Sequence, residues 1–295
     1  MGEEYEKQAE ELLQGAIDMH VHTAPDVFPR LLNDIEAAEQ AKEAGMAGIL
    51  IKSHVTVTAD RAQTAGQAAG VQVFGGVALN LPVGGINPHA VEIAIRLGAK
   101  KVWMPTIHAA EFLSRQGDVP MLQSILRPGL LGLTVLADDG SVLPEVDEVL
   151  DLAAKNGLAV GTGHLSVKES MVLVSRAKAL GVKNIVVTHP LATFVNFSIS
   201  ELKEILEKGA TMLEHNFNDM TPVVAHPIQP LWFAQAIKAT GAAACIMCSD
   251  GGQAENPRPV EMLRRFIRLM LRQGISEKEI KLMVCDNPAR VLNLK

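Results

Sequence analysis

The sequence predicts an α/β protein of the (β/α)8 TIM-type barrel class, and three observations carry that expectation. Short apolar runs alternate with helical stretches along most of the 295 residues, which is the pattern of βα units on a parallel sheet. Eight such runs occur, enough to close a barrel, whereas an open doubly wound sheet usually has fewer. Seven of the nine histidines fall at or just past the end of a run, the end at which such barrels build their active sites.

The expected strands are Ala16–His22, Ala47–His54, Val71–Leu79, Lys101–Ile107, Leu158–His164, Asn184–His189, Thr211–Asn216 and Ala243–Ser249. Helix starts between them are marked by Asn33…Glu36, Ser166…Glu169 and Ser198…Glu201, spaced so that the first side chain accepts from an early N–H and the Glu reaches back. Asn87-Pro88 sets an N-cap before a first-turn proline. Gly45, Gly98, Gly157, Gly181, Gly209 and Gly241 stand where helices should end. The whole chain, 1–295, reads as one barrel domain. A helix precedes the first strand (1–15), closing helices follow the last (257–295), and 109–143 is irregular. Within that insertion Leu130–Ala137 is a candidate extra strand turned by Asp138-Asp139-Gly140, and the segment as a whole a candidate lid.

Hydrophobic types make up 48% of the chain, charged residues 20%, and the net charge is -6. No basic patch stands out, so nucleic acid is not an expected partner. Three cysteines are too few and odd in number for a disulfide framework. The charged start Met1-Gly2-Glu3-Glu4 is unlike a secretory signal. No apolar run approaches the ~20 residues of a membrane helix. The expectation is a soluble cytoplasmic protein acting on a small molecule, with homo-oligomers left open.

His20 and His22 are two apart on a strand, so both side chains point the same way and can meet one metal ion. His164 and His189 arrive from later strands, and Asp250 closes the eighth. A divalent ion held by such groups with a position left open lowers the pKa of water to ~7. That water can then attack an amide, ester or lactone carbonyl, with Asp250 moving the proton.

The HxH pair on strand one, His164 on strand five, His189 on strand six and Asp250 on strand eight resemble the amidohydrolase superfamily over almost the whole chain. Asp286-Asn287-Pro288-Ala289-Arg290 is similar to the helix start near the end of those enzymes. More narrowly, the chain resembles a poorly characterised DUF6282-like subgroup of predicted metal-dependent hydrolases. The resemblance implies one or two divalent ions, zinc first, with manganese, iron or nickel also suited to imidazole and carboxylate. It departs at strand four, which lacks the bridging lysine or acid of binuclear members. Lys52 ends strand two instead, with His54 beyond it on the same side. Lys52 and His54 are candidates for a metal bridge or a substrate contact.

A lone HxH is usually structural, and the meaning here comes from the full set. Arg30, His108 and His215 are weaker substrate-binding candidates: an arginine there is at least as often a plain surface residue, and histidines in those places are more often packing residues at the barrel mouth. Cys245 and Cys248 are three apart on a strand, face opposite sides and cannot share a zinc. Besides hydrolysis, two other functions fit the pattern: a single-metal decarboxylase or isomerase on the same barrel, and a non-catalytic metal- or ligand-binding barrel.

Overall fold

The computed structural model describes residues 2–115 and 129–294. Every expected apolar run contains a strand: β1 (Ile17–Val21), β2 (Gly48–Ile51), β3 (Gln72–Phe74), β4 (Gly76–Ala78), β5 (Lys101–Trp103), β6 (Ala159–Gly161), β7 (Ile185–Thr188), β8 (Met212–Asn216) and β9 (Cys245–Cys248). All neighbours pair in parallel, as β1-β2-β3 and β4-β5-β6-β7-β8-β9. The third barrel strand is split in two at Gly75, where an added Cβ would lie 2.5 Å from the Thr58 carbonyl. Thr58 Oγ1 accepts from the Gly76 N–H at 2.9 Å and so occupies a ladder position. Counting β3 and β4 as one strand leaves eight. The ring closes where the His22 N–H donates to the Gly251 carbonyl and Val21 bridges Gly251. The molecule is a (β/α)8 barrel.

Strand alternation divides the apolar residues between two layers. Ile49, Ile51, Val102, Val160, Val187, Leu213 and Cys245 pack outward with the helices. Leu50, Trp103, Ala159, Val186, Met212, Ile246 and Cys248 fill the interior, closed by Val291 and Leu292. The two strand cysteines thus lie in different layers, as their spacing requires.

The three sequence-marked capping boxes form, each side chain accepting from the third residue's N–H, and a fourth joins Ser276 to Glu279. The helix Asn287–Val291 begins with its proline in the first turn. Asn287 Nδ2 donates to the carbonyls of Ala242 and Cys245, pinning that helix to the start of β9.

The extra strand expected at Leu130–Ala137 does not form. Only isolated bridges occur, Ala109 with Leu133 and Leu136 with Val142. The Val135 N–H goes to Glu169 and the Leu136 N–H to Thr134 Oγ1, so the donors a ladder needs are already used. The lid expected over 109–143 falls partly on 116–128, outside the described residues. No helix among the described residues is long and apolar enough to cross a membrane.

Candidate metal centre

A bulge in β1 aims the first two histidines. From Asp18 to Val21 the strand advances three residues while its partner advances two, from Ile49 to Ile51. The extra residue breaks the alternation. Ile17 and Met19 face the interior, and Val21 packs in the outer layer. His20 and His22, two apart, turn into the barrel mouth. Asp18, buried beside the bulge, accepts from the N–H groups of His20 (3.3 Å) and Ser249 (3.0 Å). Burial, only partly offset by the bonds to Ser249 and His20, pushes the Asp18 carboxyl up to about 7.

Around Asp250 the rings converge. His20 Nε2 and His22 Nε2 each lie 3.1 Å from Asp250 Oδ1, and His189 Nε2 lies 3.6 Å from Oδ2. Asn218 Nδ2 donates to the same Oδ2 at 3.0 Å. The far side of two rings is held by acids: His20 Nδ1 by Glu214 at 2.9 Å, His189 Nδ1 by Asp219 at 2.9 Å. Glu214 is itself bound by the buried Lys101 ammonium. A carboxylate on Nδ1 fixes the tautomer with the lone pair on Nε2. His189 and Asp250 both have positive φ, 51° and 48°, a region costing non-glycine residues about 1–3 kcal/mol unless the surroundings enforce it.

The electrostatics leave most of these rings neutral. Burial first, then the nearby Lys52, lowers His20 to about 3. Burial and then Arg30 do the same to His22. Burial also holds His54 and His164 well below the usual range. Burial is the largest influence and opposes a charged His189, but Asp219 and Asp250 together outweigh it and the net shift is upward. Burial would raise Asp250, yet His20, His22 and His189 together hold its carboxyl well below the usual range. Lys52 is lowered to about 8, chiefly by burial.

This donor set fits a divalent cation. His20 Nε2, bare because Nδ1 serves Glu214, faces a carboxylate oxygen at 3.1 Å, two acceptors with no proton between them. Lys52 Nζ, 3.0 Å from that same nitrogen, offsets the mismatch in part. One donor atom each from His20, His189 and Asp250 lie within 4.8 Å of one another. His164 is buried with neither ring nitrogen partnered among the described residues. It is enclosed by Phe112, Phe194 and His189 at ring-centroid distances of 4.9, 4.8 and 5.3 Å. An unpaired buried polar group is costly, and a metal would satisfy it.

His22, Arg30, Lys52, His54, His164, His189 and Asp250 all line one pocket, walled by Phe28, Phe112, Phe194, Val223 and Val224. His54 Nδ1 is tied to Thr106 Oγ1 at 2.9 Å. Two sequence candidates lie apart from the described lining of this pocket. His215 lies on the outward side of β8, because its neighbours Glu214 and Asn216 take the inward positions, and it packs edge-on against Phe233 at 5.7 Å. His108 is not among the described residues lining the pocket, and its backbone N–H donates to Asn80 Oδ1. Glu214, Asp219, Asn218 and Lys101 went unread in the sequence. A charged residue within an otherwise apolar strand, Glu214 in β8 or Lys101 at the head of β5, was the available signal, since such a residue demands a buried partner.

A (β/α)8 barrel with a histidine–aspartate cluster at its mouth is the class defined by this fold and geometry. The chain belongs to the family of unknown function DUF6282, whose profile matches residues 15–213. No curated protein matches it in sequence. Its fold is shared with an amidohydrolase from Pseudomonas aeruginosa, at 13% identity and a TM-score of 0.64 over 98% of each chain. It is shared also with the organophosphorus hydrolase of Deinococcus radiodurans, at 14% identity and 0.55 over 96% of this chain and 93% of that one. A mutant of a PTE-like lactonase from the same organism gives 14%, 0.55, and 96% and 97%.

Proposed function

We propose that this protein is a metal-dependent hydrolase that cleaves a carbonyl-type bond, amide, ester or lactone, of a small molecule. The observation that carries the reading is the approach of His20 Nε2 and His22 Nε2 to one oxygen of Asp250, 3.1 Å each, with His22 and Asp250 both lining the pocket. His20, His22, His164, His189 and Asp250 are the ligands in this reading, and zinc is the first candidate metal. A bound divalent ion supplies Lewis acidity and an activated water.

The chain's own groups do the rest. Glu214 and Asp219 keep the Nε2 lone pairs of His20 and His189 directed inward. Asp250 is ionised, with Oδ2 steadied by Asn218, so it can accept a proton from the attacking water and return it to the leaving group. Phe112, Phe194 and Val224 give the pocket an apolar wall. The similarity in fold to an amidohydrolase and to a lactonase supports the reaction class. The test is elemental analysis of the purified protein, followed by assay of the metal-loaded form against amides, esters, lactones and carboxylic acids. Turnover of a carbonyl-bond substrate that stops on chelation is expected. Decarboxylation or isomerisation instead, or no metal at all, would overturn the reading.

A further inference from the structure

Arg30 is the pocket's outer cation, and its surroundings hold it rigid. Its Nε and Nη2 both lie 2.8 Å from Asp26 Oδ2. Its guanidinium sits 5.3 Å from the Phe28 ring centroid, and Nη2 is 3.4 Å from His22 Nδ1. Its side chain is 3% exposed. Nη1 has no hydrogen-bond partner among the described residues. A guanidinium carries five donors in a planar fork, and Nη1 is not among the buried atoms left without a partner, so solvent reaches it and an incoming acceptor can displace that water. One oxygen of Asp26 does not use them all.

The charge of the lining points the same way. Among the described residues its cations are Arg30 and Lys52 and its only acid is Asp250, which already faces three histidines. Arg30 stands one imidazole away from that cluster, across His22, and an apolar wall of Phe112, Phe194 and Val224 lies along the remaining side. A molecule seated with its reacting bond at Asp250 has a cation at one end and hydrocarbon against its flank.

We propose that Arg30 anchors a substrate carboxylate, so that the pocket selects small amides, esters or lactones carrying a free carboxylate near the reacting bond. A planar carboxylate is the group a guanidinium fork recognises best. The identity of the reacting bond rests on the hydrolase reading above, whereas the carboxylate anchor does not, because Arg30 belongs to the protein whether or not a metal is bound.

The experiment compares N-acetyl-L-alanine with N-acetyl-L-alaninamide, two probes that differ only in having a carboxylate or a neutral carboxamide at that end. Calorimetry is run on chelator-treated and on zinc-treated protein. Wild type should bind the carboxylate about tenfold or more tightly than the carboxamide in both preparations. Arg30→Gln should weaken carboxylate binding by about 10- to 100-fold, the scale of a hydrogen bond to a charged group, and leave carboxamide binding unchanged. Arg30→Lys, which keeps the charge without the fork, should retain part of the preference and serves if the glutamine variant does not fold. Equal affinity for the two probes, no measurable binding of the carboxylate, or a preference that survives in Arg30→Gln would overturn the proposal. A preference that vanishes on chelation alone would move the anion to the metal and also overturn it. Failure of the hydrolase reading looks different: no metal and no turnover, with the Arg30-dependent preference intact.

Discussion

His20 and Glu214, separated by 194 positions in the chain, are joined by a 2.9 Å hydrogen bond in the barrel interior. Both side chains are completely buried. Lys101 neutralises the second Glu214 oxygen, so the acid stays ionised and accepts from Nδ1. The bond decides which nitrogen of His20 meets Asp250.

Glu214→Gln should therefore weaken metal binding without removing a ligand. The glutamine keeps the shape but loses the charge that raises imidazole basicity. Losses on the order of 10–100-fold are usual for such partners of metal-bound histidine. Competition against a chromophoric chelator measures it, and an unchanged affinity would show that Glu214 serves the fold alone.

Replacing His20 and His22 together by Ala should abolish stoichiometric metal while the barrel stays folded. Circular dichroism checks the fold and elemental analysis the metal. Full occupancy in the double variant would place the ion elsewhere.

Asp250→Asn should hold much of its metal, because the amide oxygen still coordinates, and lose turnover by about 10²–10⁴-fold, the range of general acid–base catalysis. Single-turnover rates at matched occupancy separate this from a binding defect. A rate equal to wild type would reduce Asp250 to a structural group.

Lys101→Met should be strongly destabilising. It strands Glu214 as a buried charge, and losing one partner of a buried pair costs roughly 3–5 kcal/mol. Adding Glu214→Gln to the same protein should recover part of that loss in urea unfolding. If the single variant is as stable as wild type, the pair is not held as described.

Much of the scaffold was legible without coordinates because its signals are local. Alternation, N-caps such as Asn33 and Ser166, and end glycines such as Gly157 act within a few residues, and they located all eight barrel strands. The gathering of His20, His22, His189 and Asp250 followed from that, since parallel strands in a closed barrel deliver their C-terminal ends to one mouth.

What only the tertiary structure decided are relations across the barrel. A two-residue spacing says that His20 and His22 share a side, but the bulge at Asp18–Val21 decides which side. Counting along β8 gives Glu214 and His215 opposite faces. That the inward one meets His20 and Lys101, and the outward one meets Phe233, depends on strands and a helix far away in sequence. The isolated bridges at Leu133 and Leu136 make the same point, because Glu169, on another element, took the Val135 donor that a ladder would have needed. Local propensity proposes elements, but a buried charge or an unpaired donor is satisfied by whatever the closed fold brings within about 3 Å, and that distance is not written in the order of the residues.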